Sequence, residues 1–158
     1  MLIDKRFIKF KCEKQNENIK FKDNEVNVLF YSETNTLLSD NFYFKKDLLD
    51  LFQKIVTKEI SKIILVRSEK GNFLLVKRKT LDKDLTYKYL EELGGKIYNK
   101  IQPLSSSQAK IYENDVLINE RIALGMLLGS YKFENYKKNK QKKIINFKNV
   151  VFVCNEPN

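Results

Sequence analysis

Hydrophobic residues along the chain occur in short runs and in longer stripes with helical spacing. Runs that are consecutive or alternate with polar residues predict six strands, at about residues 3–12, 25–31, 63–66, 73–76, 109–112 and 147–154. Apolar positions three and four residues apart predict three helices, at about residues 44–58, 80–101 and 115–131. Lys and Arg interrupt the first strand, which is typical of a half-buried or edge strand.

The order and polarity of these elements predict the fold class. A four-residue gap with a glycine, Glu69-Lys70-Gly71-Asn72, separates the third and fourth strands and is typical of a hairpin. Several strands are apolar at consecutive positions, which requires cover on both faces of the sheet. We therefore expect an α/β fold, a three-layer α/β/α sandwich with a mixed central sheet of about six strands. The third helix is apolar nearly all round between Ile122 and Leu128, so we expect it to be the most buried helix.

Two pairs of glycines lie inside predicted helices. Gly94 and Gly95 fall in the second helix, whereas a phosphate-binding turn needs glycines between a strand and a helix start. We expect this pair to allow close packing of the helix on the sheet. Gly125 and Gly129 lie one turn apart on one face of the third helix, and they predict a close backbone approach to the sheet or to another helix.

Length and hydropathy bound the class of protein. The 158 residues fit one domain, 1–158, and neither a repeat nor a Gly/Ser-rich linker divides them. The mean hydropathy is -0.46, and no run approaches the roughly 18 apolar residues of a membrane span. The first residues also lack the apolar run of a signal peptide. We expect a soluble, cytoplasmic protein without a membrane partner.

The residues needed for the common catalytic chemistries are missing or unmarked. The sequence contains no histidine, which excludes Ser-His-Asp and Cys-His triads, HExxH zinc sites and imidazole acid–base catalysis. Carboxylates pair in sequence at Glu91-Glu92, at Asp82/Asp84 and at Glu113 with Asp115, and we expect none of these pairs to be catalytic. We assign no catalytic, metal-binding or cofactor-binding residue.

The two cysteines, Cys12 and Cys154, lie near opposite ends of the chain and lack the CxxC spacing of a zinc site. We expect them to be buried free thiols in a reducing compartment. A disulfide is the alternative if the two terminal strands are neighbours.

Basic residues outnumber acidic ones, with 30 Lys and Arg against 20 Asp and Glu and a net charge of +10. Such a balance favours nucleic acid or other anionic partners, although mutational bias can also produce a Lys-rich composition. One basic cluster is Lys77-Arg78-Lys79. A second, interleaved with aromatic residues, predicts either a solvated basic loop or a nucleic-acid contact through Lys137, Lys138, Lys140, Lys142 and Lys143.

Two segments resemble the N-terminal domain of the leucyl aminopeptidase (cytosol aminopeptidase) family. Residues 123–137, ALGMLLGSYKFENYK, are similar to the family's buried helix of the form small-x-Gly-x-x-Leu, followed by Ser or Ala, Tyr-x-Phe and Tyr-Lys. Residues 89–97, YLEELGGKI, with Leu81-Asp82 before them, are similar to the preceding helix, which often contains Gly-Gly or Gly-Ala. The order of elements also matches. After the fourth strand, the family commonly has Gly-Leu-Gly where this chain has Lys77-Arg78-Lys79.

The resemblance implies a macro-domain-like fold and a chain that is not an enzyme by itself. In that family two divalent metal ions, Mn or Zn, are held by a C-terminal catalytic domain whose Asn-Thr-Asp-Ala-Glu-Gly-Arg motif is absent from this sequence. The implied partners are the catalytic domain of the same parent protein and other copies in a homo-hexamer. The implied roles are hexamer assembly and substrate access, while the parent removes N-terminal amino acids from peptides. A nucleic-acid-binding module is the alternative, since some bacterial members of the family bind DNA. A small-molecule-binding module similar to macro domains is a third, weakened by the missing Gly-rich loops.

Overall fold

The computed structural model describes residues 8–15, 21–38, 44–80, 86–104, 106–138 and 147–155. Within these residues the chain forms six strands and three helices. In chain order they are β1 (Lys9–Lys14), β2 (Glu25–Tyr31), α1 (Lys46–Lys58), β3 (Ile63–Ser68), β4 (Gly71–Lys77), α2 (Tyr87–Ile101), β5 (Gln108–Tyr112), α3 (Val116–Lys138) and β6 (Asn149–Cys154). All nine elements have the predicted type and order. Residues 3–7 of the predicted first strand lie outside the described residues.

The six strands form one mixed sheet in the order β1-β6-β5-β2-β4-β3. Neighbouring strands are parallel except β3, which is antiparallel to β4. The predicted hairpin between β3 and β4 is therefore confirmed. Gly71 follows its turn with φ 141°, a conformation that favours glycine, and a Cβ there would lie 2.8 Å from the Cβ of Phe21.

Helices cover both faces of the sheet. On one face, α1 buries Leu48, Phe52 and Val56 against odd-numbered residues of β2 and β4. On the other face, α2 and α3 bury Ile97 and Ile122 against even-numbered residues of the same strands. Because successive strand residues point to opposite faces, each consecutive apolar run serves both layers. The fold is the predicted three-layer α/β/α sandwich with a mixed six-stranded sheet.

The helical glycines bring α2 and α3 into backbone contact. A Cβ on Gly94 would lie 2.2 Å from the carbonyl oxygen of Ile122, and one on Gly125 would lie 1.9 Å from the carbonyl oxygen of Glu91. The close approach predicted for Gly125 is confirmed, and its partner is a helix. The prediction that Gly94 serves packing on the sheet is wrong, because its close neighbour is the backbone of α3.

Helix α2 begins later than predicted. The predicted start was Thr80 or Asp82, whereas Thr86 is the N-cap and its Oγ1 accepts the backbone N–H of Tyr89 at 3.1 Å. A threonine at this position satisfies a helix donor that has no partner within the helix. Helix α3 is capped by Asp115, whose Oδ1 accepts the backbone N–H of Ile118 at 3.1 Å. Its predicted end was about residue 131, whereas it continues to Lys138.

The prediction that α3 is the most buried helix is wrong for one of its faces. Ile122 and Met126 are fully buried, whereas Leu124 and Leu128 are 36% and 48% exposed. With two further half-exposed residues they share one face of the helix, called here the α3 stripe: Leu117, Leu124, Leu128 and Tyr131. Neither α3, with its 23 residues, nor another described helix is both long and apolar enough to cross a membrane.

Candidate functional site

The carboxyl ends of β2, β4 and β5 lie side by side at one edge of the sheet. The chain leaves β2 towards α1 on one face, whereas it leaves β4 and β5 towards α2 and α3 on the other face. Such a divergence opens a crevice at the strand ends, and ligands of open α/β sheets bind in crevices of this kind. This edge is the candidate functional site.

A buried ion pair spans this edge. Arg78 follows β4 and Glu113 follows β5, so the two residues flank the end of β2. Nη2 of Arg78 donates to Oε1 of Glu113, and the residues are only 5% and 8% exposed. The sequence analysis grouped Arg78 with Lys77 and Lys79, but its burial separates it from these lysines.

Further hydrogen bonds fix both ends of the pair. Nη1 of Arg78 donates to the carbonyl oxygen of Lys79 at 2.9 Å, and the guanidinium lies 5.3 Å from the ring centroid of Phe30. Oε2 of Glu113 accepts the backbone N–H of Asp115 at 3.2 Å. Nε of Arg78 has no hydrogen-bond partner among the described residues. The pair therefore ties the ends of two strands to the start of α3.

A basic cavity of about 310 Å³, called here the α2 cavity, opens beside Arg78. It lies between α2 and the strand ends where β3 begins and β4 stops. Its charged lining, besides Arg78, consists of Lys62, Lys77, Lys79, Lys96, Glu33 and Glu92.

Tyr89 forms one wall of the α2 cavity. Its hydroxyl accepts the backbone N–H of Lys79 at 3.1 Å, and the ammonium of Lys79 lies 5.2 Å from the ring centroid. A cation at this distance is within the range of attraction to an aromatic face. The tyrosine therefore holds the segment after β4 against α2.

A second cavity, of about 370 Å³, lies between the edge strand β1 and α3. Both cysteines line it. The terminal strands β1 and β6 are neighbours, which was the condition given for a disulfide between Cys12 and Cys154. The two thiols are nevertheless free. Cys154 is partly buried and its Sγ donates to the carbonyl oxygen of Glu13 at 3.6 Å, whereas Cys12 is exposed, so the prediction that it is buried is wrong. Burial raises the pKa of the Cys154 thiol, and the nearby Cys12 raises it further.

The structure describes only the backbone of two of the five lysines predicted to contact nucleic acid. Lys137 and Lys138 occupy the end of α3, and Lys140, Lys142 and Lys143 lie outside the described residues. Their contact with nucleic acid stays a prediction. The described part of the chain contains no group of three or more His, Cys, Asp or Glu side chains arranged to hold a metal ion.

Two features of this candidate site were not predicted from the sequence. The Arg78–Glu113 pair joins residues 35 positions apart, and no local pattern signals such a partnership. The α2 cavity collects lysines from a loop, a strand end and a helix, and only Lys77 and Lys79 among them formed a visible cluster. The sequence did give a signal at this edge: Lys77-Arg78-Lys79 stands where the resembled family commonly has Gly-Leu-Gly.

The sequence matches no protein-family model and no curated protein. Solved structures do match, and one of them is a mutant of tomato leucine aminopeptidase, with a TM-score of 0.69 and 12% sequence identity. That match covers 100% of this chain and 34% of that chain, so this chain spans about a third of the length of the tomato protein. At 12% identity the likeness establishes the fold: this chain has the architecture of one part of a leucine aminopeptidase.

Proposed function

We propose that this chain is the non-catalytic N-terminal domain of a cytosolic, metal-dependent leucyl aminopeptidase. One observation carries the proposal, namely that the structural match to tomato leucine aminopeptidase takes in the whole of this chain and only 34% of the other. Two sequence segments independently resemble the same family, at residues 89–97 and 123–137. Under this proposal the two divalent metals, Mn or Zn, and the water that they activate belong to the catalytic domain.

Several carboxylates of this chain have structural partners. Glu113 is paired with Arg78, and Asp47 with Lys70. Glu91 of α2 is paired with Arg121 of α3, with 3.4 Å between Oε1 of the glutamate and Nη1 of the arginine. Ion pairs of this kind hold elements in place. Under the proposal, the role of this chain is one of contacts: assembly of the homo-hexamer and access of peptides to its interior.

The α3 stripe is the surface suited to that role. Its four side chains, Leu117, Leu124, Leu128 and Tyr131, are each between 36% and 48% exposed. Exposed apolar residues scattered singly are ordinary, but a contiguous row on one helix face marks an interaction surface. Arg121 lies on the same face between Leu117 and Leu124, with its Cζ 4.0 Å from the ring centroid of Tyr87, and it places a positive charge within the row. We assign the catalytic domain of the same enzyme as the occupant of this face, because two thirds of the matched protein has no counterpart in this chain.

The test combines activity with assembly. The purified chain is assayed with leucine p-nitroanilide and Mn2+, alone and with the leucyl aminopeptidase catalytic domain from the same organism, and the mass of the mixture is measured by light scattering after gel filtration. The chain alone should give no turnover, and the mixture should elute as an active complex. Turnover by the chain alone after stringent purification, or separate elution at micromolar concentration, would overturn the proposal.

The net charge of +10 favours a second candidate, a nucleic-acid-binding module that uses Lys137, Lys138, Lys140, Lys142 and Lys143. A gel shift at about 50 mM salt tests it, since phosphate contacts are strongest at low salt. Under this candidate, replacing the five lysines with glutamine weakens binding on duplex DNA of unrelated sequences equally. Absence of a shift at this salt concentration would discard it.

A further inference from the structure

The α2 cavity carries an excess of positive charge that no contact in the described residues neutralises. Four lysines face two glutamates in its lining, and the fifth cation, Arg78, is already neutralised by Glu113. None of the four lysines forms an ion pair within the described part of the chain, and the same holds for Glu33 and Glu92. With four lysines against two glutamates, the lining has a net excess of two positive charges, which a bound anion would offset.

Arg78 also lines the cavity and is 5% exposed. Its Nε is buried and has no hydrogen-bond partner among the described residues, which is unusual for a buried donor.

The remaining wall is apolar and aromatic. Tyr89, Ile63 and Leu93 line the cavity beside the lysines. Lysines together with a tyrosine ring and apolar side chains suit a ligand with a charged group and a flat, weakly polar group. The volume of about 310 Å³ is at the lower end of the range for small-molecule sites, which runs from about 300 to 1,000 Å³, so the ligand is small.

We propose that the α2 cavity binds a small phosphate monoester that carries a planar ring, of which a mononucleotide is the simplest example. The phosphate group contacts Lys77, Lys79 and Lys96, and the ring lies against Tyr89 and Ile63. The proposal is independent of the aminopeptidase assignment, since it uses a different surface from the α3 stripe and involves no peptide chemistry.

The test is a calorimetric titration of the full chain at low salt with AMP, adenosine and inorganic phosphate. AMP should bind, adenosine should not bind measurably, and inorganic phosphate should bind at least tenfold more weakly than AMP. Binding of AMP should weaken as salt is raised. No heat from AMP at millimolar concentration, or equal affinity for adenosine, would overturn the proposal.

A matched pair of double variants separates the cavity from general surface charge. Lys77→Ala with Lys96→Ala removes two lining lysines, whereas Lys88→Ala with Lys100→Ala removes two exposed lysines of α2 that do not line the cavity. The first variant should lose at least tenfold in AMP affinity and the second less than twofold, with both melting near the wild-type temperature. Equal losses in the two variants would refute a built site. Neither readout depends on aminopeptidase activity or on complex formation, so failure here leaves the proposed function untouched.

Discussion

Arg78 and Glu113 carry opposite charges and are both buried, with 5% and 8% of their surfaces exposed. Removing two charges from water is unfavourable, and the pair offsets this only while both partners and their hydrogen bonds are present. Glu113→Gln leaves the guanidinium buried without a counter-charge, so we expect the free energy of unfolding to fall by about 3 kcal/mol. Urea denaturation measures it.

The double variant Arg78→Met with Glu113→Leu shows whether the two side chains stabilise the fold as an ion pair or through separate packing contacts. Because it removes both charges, it should be less destabilised than the sum of the single variants Arg78→Met and Glu113→Leu, with a coupling of about 1–3 kcal/mol. Additive effects of the single variants would show that the two side chains do not act as a pair.

Tyr31 and Tyr112 give the protein a stability that depends on alkaline pH. Burial raises the pKa of both hydroxyls above the ordinary value of 10.0, and for Tyr112 the negative charge of Glu25 adds to the effect. The unfolded chain therefore loses these protons first, and stability falls as the pH rises above about 10. Near neutral pH both groups are protonated in either state and contribute no such dependence.

Two phenylalanine variants test this assignment. The hydroxyl of Tyr31 has no hydrogen-bond partner among the described residues, so Tyr31→Phe should keep or raise stability near neutral pH and make the alkaline fall shallower. Tyr112→Phe should also flatten the fall, but it loses about 1 kcal/mol throughout because the Tyr112 hydroxyl donates to Oδ1 of Asn27 at 2.9 Å. Urea unfolding near pH 7 and about pH 10.5 gives both quantities. A fall as steep in both variants as in the wild type would contradict the assignment.

At the scale of elements, the adjacent glycines Gly94 and Gly95 of α2 differ in how closely they approach α3. A Cβ on Gly94 would lie 2.2 Å from a backbone oxygen of α3, whereas the nearest atom to a Cβ on Gly95 is 3.8 Å away. Gly94→Ala must separate the two helices and should destabilise by about 2–3 kcal/mol. Gly95→Ala meets only ordinary contact and should stabilise by about 0.5–1 kcal/mol through helix propensity. Thermal unfolding monitored by circular dichroism measures the change in stability of each variant. Destabilisation of equal size at the two positions would refute the close contact.

The elements that the sequence predicted well are those whose signal is local. Consecutive apolar runs predicted strands covered on both faces, and Gly71 predicted the hairpin, because each depends on neighbours a few residues away. The start of α2 was misplaced because several polar residues compete as N-cap, and only the structure shows that Thr86 binds Tyr89. The partner of Gly94 was misassigned for a related reason: a glycine signals a close approach without saying which element approaches.

The candidate site was largely hidden from the sequence because it is assembled across the fold. Lys62 and Lys96 lie 34 positions apart in sequence yet line one cavity, and Arg78 looked like an ordinary basic residue until its burial was known. The exposed face of α3 was hidden for the opposite reason. Its apolar residues lie all round the helix, so periodicity could not separate the side that packs on the sheet from the side that does not.

At the scale of the whole molecule, the proposed function assigns the α3 stripe to a contact with a separate catalytic domain. Leu128 of the stripe is 48% exposed, and Leu51 of α1, on the opposite face of the sheet, is 41% exposed. We expect Leu128→Glu to weaken association with the aminopeptidase catalytic domain at least tenfold, because a charge in an apolar contact loses its hydration. Leu51→Glu is the matched control. It changes charge and apolar area by the same amounts and should leave association unchanged.

Both substitutions are at half-exposed positions, so each should change the free energy of unfolding by only about 0.5 kcal/mol and leave the fold intact. Affinity measured by light scattering or surface binding then reports on the surface alone. If the two variants bound equally well, α3 would not be the contact and the catalytic domain would have to use another face. If the two lost affinity equally, net charge would govern association instead of the stripe. Only a loss confined to Leu128→Glu connects the half-exposed apolar face of α3 to assembly.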